Sequence, residues 1–405
     1  MTFPVKSLNS DQTGAPTLTG QAGSLIALLD ACLINGFNLK TLDSLVVASN
    51  VATGTVSAGH GYKVGEIILI AGATPSGLNG EQKVVSVTAS TFTFSTTESD
   101  TTATGTITAK IAPVGGWSKA YTGTNTAVYR SDDVSGIRHY LRVFDNYAGS
   151  GTTRLARVRA YEAMTDVDTG TGPIPTVADA SGDGMVVQKS YTTDSTQRPW
   201  GLVGDGKLFY FFPYHRGDIS DPSALYSRDG GCFAFGEMIS FRPSDAYHTM
   251  LIANEDDTTY SQPPYQNNYF CNVGGGTSGE HSNGHWVARR FDQTGSPIRF
   301  AKCGETVIQT LMGYQGIPYP GPVDGGLWIA PLRIYEKHPT ESKAHIRGRL
   351  PGLYQILHDQ PLNRFDIVNG ITDLPDRDLI CFELSRATSW NQDGQCLVDI
   401  TGPWR

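Results

Sequence analysis

Lys207-Leu-Phe-Tyr-Phe-Phe212 is the stretch on which the reading of the fold turns. Five consecutive large apolar or aromatic residues are too short a run for a helix and carry no polar face for solvent. They fit a strand that lies centrally in a sheet and is covered on both sides. Upstream, Arg138, Tyr140, Arg142 and Phe144 alternate with His139, Leu141, Val143 and Asp145. Leu155, Arg157 and Arg159 alternate with Ala156, Val158 and Ala160 before Tyr161. Period-two patterning of this kind marks half-buried strands. Downstream, Cys232–Phe241, Tyr247–Ala253 and Leu327–Tyr335 read as further strands, and Asp378–Leu384 and Gln395–Ile400 as closing strands. Strands that bury one or both faces must stack, so the expected body is a β-sandwich or a large mixed sheet.

Composition agrees with a mainly β chain. Among 405 residues, 46 are Gly and only 17% are charged, while 39% are hydrophobic. Gly supplies the turns that many short strands require, and a 39% apolar content is enough to bury a core. The formal charge is −8 and no long Lys/Arg block occurs, which argues against a nucleic-acid surface. No apolar stretch approaches a membrane span, and the N-terminus lacks a basic start followed by an apolar run, so the protein is expected to be made in a bacterial cytoplasm without membrane insertion. The six cysteines, Cys32, Cys232, Cys271, Cys303, Cys381 and Cys396, form no CxxC pair and are expected as buried thiols; one disulfide among the last four stays open.

One helix is expected. Leu25, Ile26, Leu28, Leu29, Cys32 and Leu33 recur at intervals of three and four, with Ser24 as N-cap and Asn35-Gly36 as the stop. Its apolar stripe must be covered by a sheet or by another subunit. Leu25, Leu28, Leu29 and Leu33 are therefore candidate partner contacts.

Residues 45–112 read as a self-contained β module, with strands at Thr55–Ala58, Ile67–Ala71, Lys83–Thr88, Thr91–Ser95 and Gly105–Ala109. Turns fall at Gly59-His60-Gly61, Gly77–Gly80 and Ala89-Ser90. The module begins with TGTVSA and ends with TGTITA, and these two strands are expected to pair antiparallel and bring its ends together. His60 is expected to serve its turn. The pattern GHGYxxG, followed by IxGxxPxxLNG and then by VxSV and TFTF, resembles a small β-barrel module of phage tail and fibre proteins, related to a small domain of ubiquitin-activating enzymes. The resemblance implies an inserted spacer without chemistry.

Outside this insert the chain resembles a family of bacteriophage virion structural proteins. The resemblance is carried by Gly116, Trp117, Tyr121, Gly123, Thr124, Asn125, Ala127, Tyr129 and Arg130, and by Tyr140–Val143. Arg159–Glu162, Met164, Thr165, Trp200 and Tyr210 extend it, and so does the segment AHIRGRLPGLYQILHDQPL from Ala344. It implies a tail or baseplate component that works by assembly with other virion proteins, as a homo-oligomer of three, six or twelve copies. A neck, collar or capsid-decorating role is the alternative within the same class. The expected organisation is a host segment over residues 1–44, the module over 45–112, a β-rich body over 113–338 and a docking segment with closing strands over 339–405. Gly348, Pro351 and Gly352 suggest that the docking segment is turn-rich.

Residues with chemical potential are few. Asp166 and Asp168, and Asp179 and Asp183, are expected to form turns, because neither group completes a calcium-loop pattern. His281 and His285 have zinc-helix spacing but flank Ser-Asn-Gly and lack the following Glu. No catalytic, cofactor or metal residue is assigned. The polar, aromatic stretch from Glu255 to Glu280 suggests a loop that orders against a neighbour; Tyr260, Tyr265 and Tyr269 there are candidates for stacking on a host surface glycan, and Trp286 is a further candidate contact. A polysaccharide-cleaving enzyme is the third reading, and the sequence lacks the parallel-coil repeat it would carry.

Overall fold

The computed structural model describes residues 3–146, 154–180, 182–220, 230–254, 284–303, 318–337, 343–358, 361–384 and 394–405. The chain is built from antiparallel sheets with a single short helix among the described residues. The largest sheet has 13 strands, twelve along one path and Ile239–Ser240 paired beside it with Ala344–Ile356. Its path runs from Lys6–Asn9 through Trp200–Gly204, Leu208–Pro213, Phe233–Glu237, Thr249–Ile252, His285–Val287 and Ile298–Cys303. It continues through Ile329–Lys337, Ala344–Ile356, Gly394–Asp399 and Leu379–Leu384 to Ile367–Val368.

The aromatic stretch sits where expected. Every residue of Leu208–Pro213 is buried, and the strand is flanked on both sides, by Trp200–Gly204 and Phe233–Glu237. Its alternation divides the core. Phe209 and Phe211 join one hydrophobic cluster, while Leu208, Tyr210 and Phe212 join another. Phe233, Phe235, Leu251 and Trp286 follow the first face, and Ala234, Met250, Ile252 and Val287 the second. Two cores on opposite faces of one sheet make three layers.

The first face is covered by a six-stranded sheet containing Trp117–Gly123, Thr126–Ser131, Tyr140–Phe144, Leu155–Met164, Gly170–Ile174 and Met185–Gln188. Tyr129, Leu141, Val143, Val158 and Val187 supply its inward side chains. The second face is covered by the later half of the long sheet itself, folded back. Phe212 stacks on Phe382 with ring centroids 4.0 Å apart, Tyr210 donates to the Pro351 carbonyl at 2.9 Å, and the Glu383 N–H donates to the Tyr214 hydroxyl at 3.1 Å.

The segment from Ala344 is not the turn-rich piece its Gly and Pro residues suggest. Ala344–Ile356 is one strand of 13 residues. Its register against Ile329–Lys337 shifts between Pro331 and Arg333, so Pro351 and Gly352 occupy a bulge where no ladder N–H is needed. Gly348 lies against the backbone of Ile239, where an added Cβ would come within 2.1 Å of its carbonyl oxygen.

The region of the proposed module holds two open sheets and no closed barrel among the described residues. One sheet orders Phe37–Thr41, Thr108–Ile111, Ile67–Ala71 and Gly80–Lys83. The other orders Ser86–Val87, Thr91–Ser95, Val51–Thr55, Ser44–Ala48 and Thr101–Thr102. The expected pairing of TGTVSA with TGTITA does not form. Val51–Thr55 pairs with Ser44–Ala48 and Thr91–Ser95, and Thr108–Ile111 pairs with Phe37–Thr41 and Ile67–Ala71. Two segments of equal alternation do not select each other by local pattern alone, since other strands offer the same ladder. The ends are instead closed by the strand that directly follows the helix.

Candidate functional site

The helix Ser24–Leu29 continues into a wider π-helical turn, Asp30–Asn35, and stops at Gly36 with φ 72°. Ser24 is its first residue rather than its cap. The Asp145 carboxylate takes the capping role, accepting from the Leu25 N–H at 2.7 Å and the Ile26 N–H at 3.4 Å. Lys189 ion-pairs with the same carboxylate, and both side chains are fully buried. Burial pushes the Asp145 carboxyl up and the Lys189 ammonium down, while the pairing opposes both shifts. Leu25, Leu28, Leu29 and Leu33 point into the core beneath the long sheet and have no exposed surface. The chain's own strands cover the stripe, so these four leucines are not the partner contacts expected of them. Trp286 is also internal, at 3% exposure, with the Arg299 guanidinium 5.1 Å over its ring. Tyr260, Tyr265 and Tyr269, and His281, lie outside the described residues.

Glu162, Glu237, His248 and Arg289 surround His139 where the six-stranded sheet meets the long sheet. Glu162, on Leu155–Met164, receives two hydrogen bonds of 2.8 Å from Arg289, which follows His285–Val287. The Arg289 guanidinium also lies 4.2 Å from the centroid of the Tyr247 ring. Glu237 accepts from the Ile137 N–H at 2.6 Å, and His248 Nε2 stands 3.5 Å from its other oxygen. Deeper in, Arg347 donates to Asp245 at 2.8 Å and to Glu336 at 2.5 Å, and reaches the Arg289 carbonyl at 3.0 Å.

Burial pushes His139 down to about 4, and the nearby Glu162 and Glu237 offset only part of that. Burial also raises Glu237, but hydrogen bonds from His248 and the Ile137 N–H, with the charge of Arg405, bring it below its ordinary value. The Glu162 hydrogen bonds hold Arg289 above its own. Each of these carboxylates therefore faces a cation or an N–H. The cluster joins strand ends from two sheets, which is what a charged clamp does; paired and desolvated groups of this kind fix geometry more than they add net stability.

The other sequence candidates also have structural partners. His60 takes the Tyr62 N–H on Nδ1 at 2.9 Å and turns Nε2 to the Thr88 and Thr91 carbonyls, each at 3.0 Å, as a turn residue should. Asp166 accepts the N–H groups of Asp168 and Thr169 at 2.8 Å. Asp168 and Asp183 both pair with Arg142, at 2.7 and 3.1 Å. Cys32, Cys232, Cys381 and Cys396 are buried, and burial raises the Cys32 and Cys381 thiols well above the usual range. No helix among the described residues is long and apolar enough to cross a membrane.

No family model and no curated protein matches this sequence. Among solved structures, a chain described as phage phi92 endosialidase aligns over 76% of this chain and 70% of its own, at 13% identity and a TM-score of 0.17. At that score the two backbones do not superpose as one fold, and nothing is carried over from it.

Proposed function

We propose that this chain is a structural component of a tailed-bacteriophage virion, in the tail or baseplate, that works by assembly with neighbouring virion proteins and with further copies of itself. What supports this reading is where the residues that carry the resemblance to virion proteins are used. Trp117 donates from Nε1 to the Asp205 carbonyl at 2.8 Å, tying the six-stranded sheet to the long sheet. Tyr129 binds Asp30 of the helical segment at 2.8 Å, Trp200 reaches the Pro16 carbonyl at 2.9 Å, and Tyr210 reaches Pro351 across the second core. Each ties one part of the chain to another. In this reading the body supplies a rigid scaffold, and the two small sheets between Phe37 and Ile111 form an inserted spacer.

Mass spectrometry and immunogold labelling of purified particles test the reading. The chain is expected as a stoichiometric constituent located on the tail. Mature particles free of it would overturn the assignment, whatever its behaviour in solution.

A further inference from the structure

Residues 318–328 form a loop held by its own hydrogen bonds at the end of the folded-back sheet half. The Gly325 N–H donates to the Gly321 carbonyl at 2.7 Å, the Gly321 N–H to the Gly326 carbonyl at 3.2 Å, and the Gly326 N–H to Asp324 Oδ1 at 2.9 Å. The loop exposes Tyr319 and Trp328, at 47% and 50%, beside Val323 at 91%. Two large aromatic residues of one short loop are thus left half in water.

One buried residue, His358, anchors both, through the backbone of Trp328 and the ring of Tyr319. The Trp328 N–H donates to His358 Nε2 at 2.7 Å, and Tyr319 meets the His358 ring edge-on at 5.4 Å. His358 Nδ1 in turn donates to the Pro318 carbonyl at 2.9 Å, which fixes the neutral tautomer. The Trp328 carbonyl accepts the Leu357 N–H at 3.0 Å, anchoring the residue to the sheet. Trp328 Nε1 donates to Asp324 Oδ1 at 3.3 Å. The Gly326 N–H and Trp328 Nε1–H, both donating to Asp324, keep its carboxyl below its ordinary range, so it is ionised at neutral pH. A Tyr319 ring packed on His358 and a Trp328 indole tied to Asp324 lose less rotamer freedom when something stacks on them than unanchored rings would.

We propose that Tyr319 and Trp328 form a binding platform for an uncharged pyranose oligosaccharide, with Asp324 accepting hydroxyl hydrogen bonds at its edge. The chemistry selects this class. Aromatic faces suit the C–H face of a sugar ring, and a carboxylate accepts from hydroxyl groups. The fixed negative charge repels carboxylated sugars. A neighbouring protein subunit would instead need a wider continuous apolar area than two rings and a valine. On a virion surface such a platform would meet host glycan, and only this placement rests on the virion reading.

The full chain, applied to an array of neutral and acidic oligosaccharides, gives the test, with calorimetry on the best neutral binder. Neutral hexopyranose oligomers are expected to be retained and sialylated or uronate-bearing ones excluded. W328A and Y319A should each weaken Kd at least about tenfold, with melting temperature unchanged. D324N should admit acidic sugars. Retention of no neutral glycan, or binding that survives both aromatic substitutions, would overturn the platform. So would preference for acidic sugars, or loss of W328A protein from particles without any sugar binding. Particle composition is measured separately, so failure here leaves the virion assignment standing or falling by itself.

Discussion

At the scale of single residues, the buried charges describe how this chain is held together. Asp145 and Lys189 are fully buried, yet each faces its partner and the helix start, so neither charge is stranded. His139 is different, because its ring is held neutral by burial. Its folded pKa of about 4 lies below the ordinary 6.5. Above pH 6.5 neither folded nor unfolded ring carries a proton, and its contribution to stability is complete. As pH falls from 6.5 towards 4, the unfolded ring binds a proton that the folded one does not, and stability is lost. Urea denaturation at pH 7 and pH 5 should show this loss, and His139→Gln should remove from it a share on the order of 2 kcal/mol. An unchanged pH slope in the variant would show that His139 is not held neutral.

At the scale of elements, local patterning located many strands well. Ile67–Ala71, Thr91–Ser95 and Tyr140–Phe144 have the bounds or the alternation their sequences predict. Closing strands at Leu379–Leu384 and Gly394–Asp399 also form, paired with each other. The strand Ala344–Ile356 escaped such reading because Gly and Pro signal turns locally, whereas here they serve a bulge with three different partner strands. Gly352 has φ 65°, and an added Cβ would lie 2.2 Å from Trp404 Nε1. Gly352→Ala should therefore destabilise the fold by at least about 2 kcal/mol, read from chemical denaturation. A neutral effect would mean that the bulge tolerates another backbone shape.

At the scale of the whole molecule, the proposed spacer has its own inward residues. Leu45, Val47, Ala52, Ile68, Ile70, Phe92 and Phe94 are buried, in a cluster that continues through the helix into the core beneath the long sheet. Pairing of Phe37–Thr41 with Thr108–Ile111 brings its ends together. Residues 37–112 expressed alone should give dispersed amide resonances and a cooperative melt; a random-coil spectrum would mean the body is needed to fold them. Contacts such as the Lys6–Glu81 ion pair at 2.8 Å and the Gln12–Glu66 hydrogen bond at 3.0 Å then dock the unit onto the N-terminal strand.

The candidate sites divide in the same way. His60 and the aspartate turns were legible, because their partners lie within a few residues or in the next hairpin. The leucine stripe was legible as a buried face, but what covers it was not. The platform of Tyr319 and Trp328 left only a faint trace, two aromatic residues flanking a Gly/Pro-rich run, since His358 joins them from 30 or more positions away in the chain. Sequence by itself determined that the protein is β-rich, where its aromatic strand lies and that this strand is covered on both faces, because alternation and side-chain volume act over a few residues. Tertiary structure alone decided that the second cover is the same sheet folded back, and that the helix is covered from within. Those outcomes depend on pairings between distant segments whose local patterns are equivalent, and only the packed chain distinguishes them.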